Sequence, residues 1–204
     1  MLKKVVISLI GILSILISFI FDAEIVKGVS LVRNFLLDEF FLGITFVSSE
    51  VIIFFFLTSL FLWKEYKRKW ILPLWLTLFL SVGISFIFKL GVHRLRPFQQ
   101  GIVPILPFLE KGSHLIWNFS FPSFQSMLAF CAIPILAKEF PKFKYVWIVF
   151  AGLVAFSRVY FGLHFMSDVL TGGLIGLILG WIVINLEDKY KFGEKIYKKI
   201  FGKN

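Results

Sequence analysis

SRVYFGLHFMSD, residues 157–168, joins the end of one long apolar run to the start of the next. It carries a Ser–Arg pair, a His six residues after the Arg, and an Asp four residues after the His. The flanking runs, 145–160 and 166–186, have the length and composition of membrane helices. With a helix starting near His164, His164 and Asp168 lie one turn apart on one face. A carboxylate there can accept from one ring nitrogen and hold the tautomer, leaving the other nitrogen to attack. Arg158 adds a planar fork of donors suited to phosphate oxygens. Taken alone, the dozen residues read equally well as an interfacial His between two membrane helices.

Working outward, the composition settles the solvent. The 204 residues are 58% hydrophobic, and the mean hydropathy is +0.88. That is an integral membrane protein. One cysteine, Cys131, sits in an apolar run, which leaves no disulfide framework and no Cys-based metal site. The pattern predicts an all-α fold, a bundle of six transmembrane helices in a single domain over 1–204. The spans are near 5–21, 40–63, 70–89, 122–137, 145–160 and 166–186. The first is read as uncleaved, because Asp22, Ala23 and Glu24 follow it rather than a small-x-small site. Between the first two spans, Val26, Val29, Val32, Leu36 and Leu37 recur at helical spacing, predicting an amphipathic helix on the membrane surface over 25–38. Gly172, Gly176 and Gly180 make a small-residue stripe on the last span, suited to close helix approach. Glu50 lies within the second span and reads either as a functional carboxylate or as a packing residue.

The formal net charge is +10. In a soluble protein this would suggest nucleic acid, but here the excess lies in short segments between spans. Residues 1–4, 64–69, 138–144 and 187–204 are the lysine-rich ones. The positive-inside rule puts all four in the cytoplasm, with both termini. Residues 22–39, 90–121 and 161–165 then face outward. The partner expected from this pattern is the bilayer; nucleic acid is excluded.

Two further groups fall on the outward face. KLGVHRLRP supplies Lys89, Arg96 and Pro97, and FPSFQS supplies Pro122 and Ser123 at the start of the fourth span. Lysine or arginine at a span end is ordinarily an interfacial anchor. Here three cations (Lys89, Arg96 and Arg158), a hydroxyl at a helix N-terminus and a candidate nucleophile converge on one side. Cations absorb charge on the equatorial oxygens of phosphorus while a nitrogen attacks in line.

These groups resemble the signature of the type 2 phosphatidic acid phosphatase and vanadium haloperoxidase superfamily, K-x6-R-P, P-S-G-H and S-R-x5-H-x3-D. Lys89, Arg96 and Pro97 match the first motif, and Ser157, Arg158, His164 and Asp168 match the third. The resemblance implies a small six-span lipid phosphatase of the phosphatidylglycerophosphatase or undecaprenyl-diphosphatase kind, with no metal or other cofactor. It implies that His164 forms a phosphohistidine, that Asp168 orients it, and that Lys89, Arg96, Ser123 and Arg158 hold the phosphate.

The second motif departs. Phe124 and Gln125 stand where the family has Gly-His. In the family that His is thought to protonate the leaving oxygen, and Gln is no acid at neutral pH. Losing a general acid costs ~10²–10⁴-fold. Three readings follow: His93 or His114 substitutes, or diphosphates are favoured over monoesters, or the chain binds lipid phosphates with little turnover. A small transporter, with Glu50 as its best support, leaves the convergence unexplained.

Overall fold

The computed structural model describes residues 2–106, 109 and 119–202, and these are helical with connecting turns. The first helix, α1 (Leu2–Ser30), bends at Phe21, whose φ of −105° and ψ of 15° leave helical geometry. Leu9, Leu13, Leu16 and Ile20 are exposed, whereas Ser18, Asp22 and Val26, spaced four apart, are buried. This is the pattern of a membrane helix, with large apolar side chains exposed and Ser18, Asp22 and Val26 turned toward the protein.

The expected surface helix over 25–38 does not form as one element. Residues 25–30 continue α1, and a turn leads to Asn34, whose Oδ1 accepts from Leu37 N–H at 3.1 Å and caps α2 (Phe35–Val47). The apolar spacing was genuine, but Val26 faces the protein core while Leu36 is exposed on the next helix. The expected second span is likewise broken. Ser48 ends α2, Ser49 caps α3 (Glu50–Leu62) through Ile52 N–H at 3.4 Å, and the two helices meet at a 62° bend.

A 3-10 turn, Glu65–Trp70, leads into α4 (Ile71–Val92), and together they form a continuous apolar helix of 28 residues. Next come α5 (Phe124–Glu139), α6 (Phe143–Tyr160), α7 (Met166–Tyr190) and α8 (Phe192–Phe201). Among the described residues, four helices are long and apolar enough to cross a membrane, or five if α2 and α3 count as one broken span. The expected fourth span, α5, has 16 residues. At 1.5 Å per residue it is about 24 Å long, short of a ~30 Å hydrocarbon layer.

α5 and α7 pack backbone to backbone. A Cβ on Gly172, Gly176 or Gly180 would lie 2.4, 2.4 or 2.2 Å from the carbonyl oxygens of Ser123, Met127 and Cys131. The glycine stripe therefore sets the distance between the two helices whose N-termini build the site. Lysine-rich segments gather at the opposite end. Lys67 pairs with Glu139, Lys138 with Asp188, and Lys69 with Glu194. Glu187 accepts from the N–H groups of Gly193 and Glu194 at 2.8 and 3.2 Å, fixing α8 to the end of α7.

Candidate active site

The last turn of α6 places Arg158, and the tight turn after it places His164. Leu163 and His164 N–H both donate to Arg158 C=O, at 2.9 and 3.2 Å. Gly162 has φ +66°, and a Cβ there would meet Val103 Cγ2 at 2.3 Å, so the turn requires glycine. It carries His164 inward to 1% exposure.

The imidazole Nδ1 lies 2.7 Å from the backbone oxygen of Ser120. A carbonyl only accepts, so Nδ1 carries the proton and the lone pair resides on Nε2. Asp168 Oδ2 is 3.8 Å from Nδ1, beyond hydrogen-bond reach. Its partners are the Ser120 hydroxyl, the Phe165 N–H at 2.8 Å and, on Oδ1, Arg94 Nη1 at 2.7 Å. The carboxylate thus reaches the ring through Ser120 and not directly, because the start of α7 turns it onto the Phe165 N–H.

Cations surround the same ring. Burial, and then the positive charges of Arg96, Lys89 and Arg158, hold the His164 pKa well below its ordinary 6.5. Lys89, 2% exposed on the last turn of α4, donates its ammonium to Phe119 C=O. Arg96 Nη1 reaches Leu163 C=O at 3.3 Å, and burial brings its guanidinium down to about 10, still charged at neutral pH. Arg158 Nη2 donates to Ser48 Oγ at 3.1 Å, so the break between α2 and α3 delivers a hydroxyl to this cation. Arg158 Nε is buried without a partner among the described residues. Ser123 is buried at the N-terminus of α5, where its oxygen accepts from Ser126 N–H at 3.4 Å and its own N–H donates to Asp168 C=O at 3.0 Å.

The structure therefore brings together Lys89, Arg96, Ser123, Arg158, His164 and Asp168 at one end of the bundle. Phe124 packs against the buried apolar cluster that includes Leu78 and Leu128, which absorbs its bulk. Gln125 is half-buried on the first turn of α5. His93 ends α4 in a left-handed conformation (φ 52°), exposed, its ring edge-on to Phe119 at 4.6 Å. His114 lies outside the described residues. Glu50 is exposed in the first turn of α3, beside the Ser48–Arg158 contact. Sequence reasoning missed Ser48, Asp22, Arg94 and Ser120; Arg94 stands at an unspecified position inside the first motif, and the other three lie outside all of them.

The PAP2 superfamily pattern matches residues 70–191. The chain belongs to the PAP2 superfamily. It is 32% identical to phosphatidylglycerophosphatase B of Bacillus subtilis (strain 168) over 187 residues, covering 83% of this chain and 85% of that protein. It is 27% identical to an undecaprenyl-diphosphatase of Sulfolobus acidocaldarius over 131 residues, 64% of this chain and 61% of the relative. Among solved structures, it resembles the first transmembrane PAP2 type phosphatidylglycerolphosphate phosphatase from Bacillus subtilis. The TM-score is 0.69 at 27% identity, covering 90% of this chain and 97% of that one. It also resembles Aquifex aeolicus LpxE, with TM-score 0.65 at 26% identity over 81% of this chain and 95% of that one. The first of these structures is a transmembrane phosphatase by its description, and PAP2 phosphatases hydrolyse phosphate esters. The matched stretch holds both full motifs and leaves α1, α2 and α3 outside it.

Proposed function

We propose that this PAP2 protein hydrolyses lipid phosphates at the extracytoplasmic face through a phosphohistidine on His164, with polyprenyl diphosphates preferred to monoesters such as phosphatidic acid or phosphatidylglycerophosphate. The observation that carries the chemistry is a neutral imidazole with its Nδ1 proton on the Ser120 carbonyl, set among Lys89, Arg96 and Arg158. In the first step the Nε2 lone pair attacks phosphorus and the P–O bond to the leaving group breaks, its electrons going to the departing oxygen. The cations and Ser123 hold the equatorial oxygens. In the second, water attacks phosphorus, its proton passes to a phosphate oxygen, and the N–P electrons return to Nε2. No metal takes part in this scheme.

The substrate preference rests on Gln125. A monoester must expel an alkoxide, which leaves poorly unless protonated as it departs. A diphosphate expels a phosphate monoester, whose second pKa is ~6, so it leaves with little help. Relatives bearing each kind of name are consistent with either substrate. The test is the ratio of kcat/KM for undecaprenyl diphosphate and phosphatidic acid. Wild type should favour the diphosphate. Gln125→His, alone or with Phe124→Gly, should raise monoester hydrolysis more than diphosphate hydrolysis. A wild-type preference for monoesters would refute the preference argument, and loss of activity in His93→Ala or His114→Ala would then identify a replacement acid. Phosphate binding without release from either lipid would favour a catalytically impaired relative.

A further inference from the structure

Asp22 lies on α1, outside the matched stretch and outside every motif, yet it is 4% exposed and hydrogen-bonded into the site. Its carboxylate accepts from the Ser167 N–H at 3.0 Å, from the Ser167 hydroxyl, and from Arg94 Nη2 at 2.7 Å. The other terminal nitrogen of Arg94 donates at 2.7 Å both to Asp168 Oδ1 and to Ser167 Oγ. Two buried carboxylates from different helices therefore share one guanidinium. That guanidinium lies against aromatic rings, with Cζ 4.1 Å from the centre of Phe165 and 5.3 Å from that of Phe19. Capping of α7 explains the bond from Ser167 N–H to Asp22. It does not explain the Arg94 fork, whose bonds go to side-chain oxygens.

We infer that Asp22 and Arg94 are positioning residues for phosphoryl transfer, which rests on His164 being the nucleophile as proposed above. Asp22 fixes the fork, the fork fixes Asp168, and Asp168 fixes His164 through the Ser120 hydroxyl. Charge gives the arrangement its purpose. Arg94 alone would cancel Asp168. With Asp22 on its other side, the trio keeps one net negative charge, and it lies close to the ring, Asp168 Oδ2 being 3.8 Å from Nδ1. When the ring accepts phosphorus it becomes cationic, and its Nδ1 proton then needs that negative charge nearby. A fork can hold two carboxylates at a fixed separation, and an ammonium cannot.

Asp22→Asn keeps an oxygen for the Ser167 N–H and removes the charge together with the acceptor for Arg94 Nη2. In detergent, with undecaprenyl diphosphate and phosphatidic acid as probes, kcat should fall roughly 10–100-fold, the range seen when outer partners of a functional group are removed. KM should stay within about threefold, since the phosphate-holding groups are untouched. Arg94→Lys should lose a similar factor, Asp22→Glu should recover part of the loss, and Asp22→Asn/Arg94→Gln should be no worse than Arg94→Gln. A second readout needs no turnover. The ¹⁵N shifts of the His164 imidazole, assigned in a His93→Ala/His114→Ala background, should report the Nδ1-protonated tautomer, and both single variants should mix the tautomers. Wild-type kcat in Asp22→Asn, full activity in Arg94→Lys, or an unaltered tautomer in both variants overturns the inference. If His164→Ala is inactive while Asp22→Asn is fully active, only the positioning role fails. If His164→Ala stays active, the nucleophile fails, whatever Asp22 does.

Discussion

At the scale of single residues, a buried imidazole hemmed by three cations must stay neutral to attack. His164→Ala should abolish phosphate release, and Asp168→Asn should depress it strongly. Ser120→Ala removes the hydroxyl that links Asp168 to the ring while keeping the carbonyl that accepts from Nδ1, so kcat should fall by about 10–100-fold, no less than in Asp22→Asn. The pH dependence has a definite sign. The folded pKa of His164 lies below 6.5, so kcat/KM should hold steady as pH falls to 6.5 and drop only below it. An inflection above 6.5 assigned to His164 would contradict the burial and charge described. The same shift bears on stability. Below pH 6.5 the unfolded chain takes up a proton that the folded ring resists, so stability declines as pH falls from 6.5 toward the folded pKa. That Lys89, Arg96, Arg158, His164 and Asp168 come together was legible because their motif spacings are local. Ser120, Arg94, Asp22 and Ser48 were not, since their contacts join positions between 44 and 145 apart. A lone Arg or Asp at a span end has the same appearance whether it anchors the helix at the interface or reaches into a site.

At the scale of elements, the α5–α7 pair carries the geometry. Gly176→Ala would bring a methyl within 2.4 Å of Met127 C=O and 3.0 Å of Cys131 N, backbone on both sides. It should destabilise by about 1–3 kcal/mol, the usual cost of overpacking, read as a lowered Tm in detergent. Gly172→Ala meets the backbone of Ser123, so it should lower activity by more than its Tm loss explains. Gly152→Ala on α6 is the control. Nothing lies within 4 Å of its Cβ, and it should be neutral or stabilising by up to about 1 kcal/mol. The stripe was legible because three glycines four apart in a membrane span have one principal use. The break at Ser48–Ser49 was not, because hydropathy averages over a window and two serines barely lower it. Nor did the apolar period over 25–38 reveal a turn, since two helices joined at Asn34 can continue each other's spacing.

At the scale of the molecule, the site and the lysine-rich segments occupy opposite ends. If the lysine-rich end is cytoplasmic, a cysteine at Gln100, exposed in the loop after Arg96, should react with an impermeant thiol reagent on intact cells, and one at Lys199 on α8 should not. The reverse pattern would invert the orientation. Cys131 is fully buried and should stay silent in both. The lysine pattern made orientation legible as an expectation, and the count of six spans likewise stays an expectation, since α5 has 16 residues and α2 and α3 meet at a 62° bend. The separation of the two ends also makes the leaflet served by the enzyme an address distinct from its chemistry. Lys67, Lys69 and Lys198 pair instead with Glu139 and Glu194, at the end away from His164. Moving positive charge from that end to the other could redirect membrane insertion and carry the reaction to the opposite leaflet, with every atom of the site unchanged.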